Sequence, residues 1–175
     1  MLHRERDRAN RIIELGKRLP IDDDELVGHW GRYACVSCAG YLETAFRLVI
    51  QKRIENKSSP EIQAFVVRSL ESIQNPKAER FVKVLRSFRD EWGSSLEEFF
   101  QKNDEVKNAI DSIMANRHLI AHGKNCSISL GRIQAYFKLA DMAISFIDEM
   151  LNTENDYNNK GRTTVTNPPT PLCRD

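Results

Sequence analysis

The sequence predicts an all-α protein, and three features of its 175 residues support this fold class. Apolar residues recur at helical spacing along most of the chain, and no segment alternates cleanly between apolar and polar residues as a half-buried strand would. Only eight glycines and six prolines interrupt the pattern. The composition, 41% hydrophobic and 29% charged, is typical of a globular domain.

The N-terminal part of the chain is predicted to form two helices. A charged helix covers about residues 2–18 and ends before Pro20. The aspartates at positions 22–24 are carboxylates of the kind that cap a helix N-terminus. The helix that follows, over about residues 25–56, is apolar on two faces, which indicates a central and buried position.

The middle of the chain is predicted to form two longer helices and a short one. The longer helices cover about residues 60–73 and 76–92, and each begins with proline, a common first residue of a helix. Gly93 and the two serines after it are predicted to break the second of these helices. A short helix over about residues 96–102 follows.

The C-terminal part is predicted to form two more helices and a tail. One helix covers about residues 104–121 and stops at Gly123, the residue type best suited to a left-handed C-terminal position. The last helix covers about residues 129–151. The composition then turns polar, so we expect a helical domain over residues 1–152 and a disordered tail over 153–175.

Charge and hydropathy exclude several classes of function. The 26 basic and 25 acidic side chains give a net charge of +1, which excludes a protein that coats nucleic acid by bulk charge. No apolar run approaches the ~18 residues that a membrane span needs, and the charged N-terminus lacks the apolar region of a secretory signal. We therefore expect a cytoplasmic protein with no membrane partner. There, free thiols rather than disulfides are expected for Cys35, Cys38, Cys126 and Cys173.

Arg117 interrupts the apolar stripe of the helix over residues 104–121. With residues placed 100° apart, Arg117 falls in the middle of a stripe that contains Val106, Ile110, Ile113 and Ile120. A buried arginine costs several kcal/mol unless it is paired or opens onto a wet cleft. Arg117 is therefore either a structural residue that snorkels or caps a neighbouring helix, or a functional residue that faces an interface or a cleft.

Glu43 is a second charged residue on an apolar face, and its neighbours on the long central helix are Ala39, Phe46 and Ile50. A buried carboxylate needs a partner, and Arg117 is the available cation on a core stripe. We therefore expect Glu43 and Arg117 to lie close together. The alternatives are a partner from another helix, or simple exposure of Glu43.

His118 and His122 lie one turn apart on the same side of this helix. Such a pair can bind zinc, but a metal site needs a third ligand, and no acid lies between the two histidines as in the metalloprotease motif. We therefore predict no catalytic metal and no cofactor. The helix dipole also stabilises a cationic His122 at the C-terminus, which offers a purely structural explanation for this residue.

Arg117 and His122 are five residues apart, about 140° around an ideal helix. They can converge on one ligand only if the helix end unwinds before Gly123, or if two copies of the chain meet about a two-fold axis. A cleft shared by two copies would suit RNA, because arginine binds phosphate and histidine transfers protons near neutral pH.

The segment NRHLIAHG, residues 116–123, resembles the Arg-x4-His signature of the HEPN superfamily, the higher-eukaryote and prokaryote nucleotide-binding fold. The chain over about residues 25–151 resembles the RiboL-PSP-type branch. The supporting features are GYLE at residues 40–43 and a helix that begins at Asn75-Pro76 and runs to an aromatic pair. The position of NRHLIAHG, at the end of the penultimate long helix, strengthens the resemblance.

The resemblance implies an up-and-down bundle of about six helices that forms a homodimer, with the Arg-x4-His helices facing each other. It implies that Arg117 and His122 are the catalytic pair of a metal-independent endoribonuclease. His118 stands where the family often has asparagine. We expect secondary or orienting roles for His118, Asn116 and Glu43.

The implied function is that of a toxin from a toxin–antitoxin or phage-defence system, with RNA as substrate and a cognate antitoxin as a partner. Cleavage would give 2′,3′-cyclic phosphate and 5′-hydroxyl ends. Lys124, just past the helix, would attract an RNA phosphate or be an ordinary surface lysine. The alternative is a catalytically inactive HEPN dimer that binds a nucleotide, an RNA or a protein, because a fold does not prove a chemistry. A metal-dependent hydrolase that uses His118 and His122 is a third interpretation.

Overall fold

The computed structural model describes residues 1–20, 23–55 and 57–160, and it describes side chains as far as Thr153. Within these residues the chain is all-helical, as predicted, with seven helices, the number that the periodicity predicted, where the resemblance implied about six. None of them is long and apolar enough to cross a membrane. The helices are α1 Leu2–Gly16, α2 Asp24–Ile54, α3 Pro60–Glu71, α4 Ala78–Phe88, α5 Asp90–Lys102, α6 Asp104–Ala121 and α7 Leu130–Lys160.

Helix α2 is the centre of the bundle, as its two apolar faces predicted. It packs against α1, α3, α6 and α7, and its buried residues extend from Gly31 to Ile50. Its N-terminus is capped by Asp23, whose carboxylate accepts a hydrogen bond from the backbone N–H of Leu26 at 2.8 Å. The Phe46 ring stacks on Phe81 of α4 with the ring centroids 4.2 Å apart, which joins α2 to the middle of the chain.

The break between α4 and α5 lies at Arg89, and the predicted break at Gly93 was wrong. Arg89 has an extended backbone, with φ −162° and ψ 130°, and it is both the C-cap of α4 and the N-cap of α5. Gly93 lies inside α5, where a Cβ atom would come within 2.5 Å of the Cβ of Arg86. The glycine is therefore needed for the close approach of α4 and α5, and it does not end a helix.

Helix α6 carries most of the candidate site and packs against α2 and α7. Two contacts fix its position. The thiol of Cys35 on α2 donates to the carbonyl oxygen of Ile113 at 3.6 Å. The backbone N–H of Ala78, at the start of α4, donates to the Asp111 carboxylate at 2.8 Å.

Helix α7 continues past its predicted end near Leu151 and reaches Lys160. It therefore includes the first residues of the segment 153–175 that was predicted to be a disordered tail. The rest of that segment, residues 161–175, lies outside the described residues, as does Cys173.

Candidate functional site

The C-terminus of α6 ends in a left-handed glycine turn. Gly123 has φ +63°, and its N–H donates to the carbonyl of Ile120 at 3.1 Å. The N–H of Lys124 donates to the carbonyl of Leu119 at 2.9 Å. These two bonds form a Schellman motif, so the prediction that the helix stops at Gly123 in a left-handed conformation is confirmed.

Arg117 lies at the open end of the apolar stripe of α6. Val106, Ile110 and Ile113 of that stripe are fully buried, whereas Arg117 and Ile120 are half-buried. Within the described part of the chain the guanidinium of Arg117 makes no hydrogen bond and no ion pair, and its nitrogens are not among the buried polar atoms that lack a partner. The guanidinium therefore meets solvent and is available to a ligand.

His118 and His122 are exposed on the solvent side of the same helix end. Their ring centroids are 4.3 Å apart, with 59° between the ring planes. Among the described residues no cluster of three or more His, Cys, Asp or Glu side chains is placed to hold a metal ion. The two imidazoles therefore form a pair without a third ligand of that kind beside them.

Helix α6 does not unwind before Gly123. The helix is regular to Ala121, and the N–H of His122 donates to the carbonyl of His118 at 3.2 Å. Arg117 and His122 therefore remain about 140° apart around the helix axis. The structure does not show the unwinding that would bring them together within one chain.

Asn116 and Lys124 flank this helix end. The Asn116 amide donates to the carbonyl of Ser112 at 2.8 Å, and its Oδ1 accepts a hydrogen bond from the thiol of Cys126 at 3.1 Å. Asn116 is thus tied to its own helix and to the loop that follows α6, and it is half-buried. Lys124 is exposed, and among the described residues its ammonium group has no partner.

Glu43 has a different partner from the one expected. Its carboxylate accepts a hydrogen bond from the backbone N–H of Asn75 at 2.6 Å. Glu43 and Arg117 form no ion pair, so the expected pairing was wrong. The physical reason is that Asn75, with φ +50°, turns its N–H toward α2 just before α4 begins. The sequence marked Asn75-Pro76 only as a helix start and gave no sign of this contact.

Three of the four cysteines, Cys35, Cys38 and Cys126, are buried free thiols, as expected. Burial, with a smaller effect of the neighbouring Cys126 thiol, raises the pKa of Cys35 to about 12. Burial also raises the pKa of Cys38. Such thiols are inert near neutral pH, because the thiolate is the reactive form.

Comparison with known proteins identifies one family. The family model RiboL-PSP-HEPN matches residues 3–153, a segment that includes the whole of α6 and its glycine turn. No curated protein and no solved structure matches the chain significantly.

Proposed function

The chain belongs to the RiboL-PSP-HEPN family, and from this membership we propose that it is a metal-independent endoribonuclease that acts as a homodimer. The proposed setting is the cytoplasm, where the chain would be the toxin of a toxin–antitoxin or phage-defence system. Its partners would then be an RNA substrate and a cognate antitoxin.

The observation that carries this proposal is that the guanidinium of Arg117 has no partner among the described residues. The side chain of Arg117 is half-buried at the end of an apolar stripe, while its guanidinium reaches solvent. Within the described residues no carboxylate pairs with it, and Glu43 is engaged elsewhere. An RNA phosphate could therefore pair with it, and the planar guanidinium can hold two phosphate oxygens at once.

The geometry of α6 supports a site shared by two copies. Arg117 and His122 leave the helix in different directions, so one chain presents them to two different surfaces. If the ends of two α6 helices meet about a two-fold axis, the Arg117 of one copy can face the His122 of the other. His122 is exposed in the single chain, which leaves it available for such a contact.

The proposed reaction is an internal transfer of the phosphodiester. The RNA 2′-hydroxyl attacks the adjacent phosphorus, and the bond from phosphorus to the 5′-oxygen breaks. His122 takes or gives the proton, and Arg117 stabilises the negative charge that builds on the phosphoryl oxygens. The products are a 2′,3′-cyclic phosphate and a 5′-hydroxyl.

Three further residues have supporting roles in this proposal. His118 is close enough to His122 to contact the same substrate. Asn116 orients the helix end through its bond with Cys126. Lys124 adds a positive charge beside the helix end, where it would attract an RNA phosphate.

The test is RNA cleavage by the purified protein in excess EDTA. We expect the wild type to cut RNA and to leave 2′,3′-cyclic ends. His122→Ala and Arg117→Ala should each lower the rate by about 100-fold or more, since general acid–base catalysis and phosphate stabilisation each contribute on that scale. His3→Ala and Arg68→Ala are matched controls, because both residues are exposed on other helices.

The outcomes separate the candidate functions. A wild type that leaves a broad set of RNAs uncut would favour a catalytically inactive HEPN module that binds a nucleotide, RNA or protein. Loss of cleavage in EDTA would instead favour a metal-dependent hydrolase.

In bacteria, expression of the wild type without an antitoxin should slow growth, and Arg117→Ala should relieve the effect. Equal toxicity of this variant would count against ribonuclease activity as the cause.

A further inference from the structure

The exposed histidine pair at the end of α6 has a chemistry beyond proton transfer. His118 and His122 present two imidazoles within one helical turn, with their ring centroids 4.3 Å apart. We infer that the pair is a binding site for a divalent transition-metal ion of the Zn²⁺ class, and that the bound ion inhibits the protein. The binding rests on this geometry alone, whereas the inhibition rests on the proposed ribonuclease function.

The ring separation is within reach of a shared metal ion. Two imidazoles that share one Zn²⁺, each bound at about 2.1 Å, have ring centroids roughly 4.5 Å apart at a ligand angle of about 90° and roughly 5.2 Å apart at the tetrahedral angle. The observed separation of 4.3 Å is shorter than the tetrahedral value by roughly 1 Å, so the two rings have to turn apart to share an ion. Both side chains are exposed, which leaves the rings room to turn.

The dipole of α6 favours a cation at this end of the helix. The C-terminal carbonyls carry the negative end of the dipole, His118 lies in the last turn and His122 is the C-cap, whereas the exposed ammonium of Lys124 just beyond opposes a cation. The guanidinium of Arg117 leaves the helix about 100° away from His118, so it does not occupy the same surface. Two neutral imidazoles are good ligands for Zn²⁺, Cu²⁺ and Ni²⁺.

The site differs from a catalytic or structural zinc centre. Only two protein ligands are available, since no cluster of three or more such side chains occurs in the described part of the chain. Water completes the coordination, and the affinity is expected to be micromolar rather than that of a closed structural site. A bound ion occupies ring nitrogens of His118 and His122. His122 then cannot transfer the proton that the proposed ribonuclease requires.

The first experiment measures binding without RNA. Calorimetric titration with Zn²⁺ should show saturable binding, and His118→Ala and His122→Ala should each weaken it by about tenfold or more, because each removes one of two ligands. His3→Ala, which replaces an exposed histidine on α1, should bind as the wild type does. In NMR spectra, Ni²⁺ should broaden the ring signals of His118 and His122 before those of His3 and His29.

Two results would overturn the binding site: unchanged Zn²⁺ affinity in both His118→Ala and His122→Ala, or equal broadening of all four histidines.

The second experiment adds Zn²⁺ to the cleavage reaction in the absence of EDTA. Cleavage should fall as the site fills and return when EDTA is added, and His118→Ala should be less sensitive. Undiminished cleavage at saturating Zn²⁺ would refute the inhibition. If no RNA is cut at all, the proposed function fails, while the titration still decides the metal site.

Discussion

The carboxylate of Glu43 accepts a hydrogen bond from the backbone N–H of Asn75 at 2.6 Å. This contact joins the middle of α2 to the turn that precedes α4. Asn75 has a left-handed conformation with φ +50°, and its Oδ1 is the one buried side-chain polar atom without a partner among the described residues. Glu43 therefore stabilises an unusual turn.

Replacing Glu43 should lower stability. Glu43→Ala leaves the N–H of Asn75 without its charged acceptor, so we expect a loss of about 1.5–3 kcal/mol in the free energy of unfolding. Glu43→Gln keeps an acceptor and should lose less. Urea denaturation measures both, with Glu71→Ala at an exposed helix end as the control. A Glu43→Ala protein as stable as the control would contradict the structural role.

The sequence predicted helix ends well where the signal is local. The α6 helix was predicted over 104–121 and is observed at those bounds, and its C-terminal end depends on the adjacent Gly123. The predicted break at Gly93 was wrong because this glycine is required by the close approach of Arg86 on another helix. Residue preferences describe what a glycine permits, and they contain no information about which neighbour requires it.

Gly93→Ala should therefore be destabilising, although alanine is the better helix former. The new Cβ would lie 2.5 Å from the Cβ of Arg86 and 3.0 Å from its Cα, so α4 and α5 must separate. We expect a loss of about 1–3 kcal/mol in the free energy of unfolding. The matched control is Gly40→Ala inside α2, where nothing lies within 4 Å of the new Cβ. That variant should be stabilised by up to about 1 kcal/mol, and the same sign for both would contradict this explanation.

The candidate site was predictable in part. The apolar stripe identified Arg117 as an exception, and the structure leaves its guanidinium without a partner in the described residues. The stripe also showed that Glu43 needs a partner, but not that a backbone N–H would be that partner. Helical periodicity predicts the direction in which a side chain points, but it does not predict which groups from other elements lie there. For the same reason it cannot identify the faces that a second copy would contact.

Gly123→Ala should disturb the end of α6. Gly123 has φ +63°, and alanine in this conformation costs roughly 1–2 kcal/mol. A Cβ at this position has nothing within 4 Å, so the strain is in the backbone alone. Gly123→Asn should lose less, because asparagine tolerates the left-handed region. Thermal unfolding measures the loss. If Gly123→Asn is no better tolerated than Gly123→Ala, backbone strain is not the cause.

Cys35 should resist alkylation in the folded protein. Burial raises the pKa of its thiol from 9.0 to about 12, so at pH 8 only about one thiol in ten thousand is ionised. Iodoacetamide at pH 8 followed by peptide mass mapping should find Cys35 unmodified, and addition of urea should make it react. Because the pKa is higher in the folded state, the associated stabilisation is present below about pH 9 and is lost as the pH rises toward 12. Rapid labelling of Cys35 without urea would contradict this burial.

A mixing experiment tests whether two copies share one site. Arg117→Ala and His122→Ala proteins are each expected to be inactive alone. In a mixed dimer, one chain keeps Arg117 and the other keeps His122, so a site that takes one residue from each copy remains complete. A site within one chain would stay broken in both copies.

Unfolding and refolding the two variants together in equal amounts should therefore restore activity. Random pairing makes about half of the dimers mixed, and each mixed dimer has one intact site of two, so the expected recovery is about one quarter of the wild-type rate. Each variant refolded alone is the control for incomplete inactivation. Because α6 is regular to Ala121 and keeps Arg117 and His122 about 140° apart around its axis, recovery is the outcome that we expect of an active protein. Active wild type with no recovery in a verified mixed dimer would mean that the two residues do not meet across two copies.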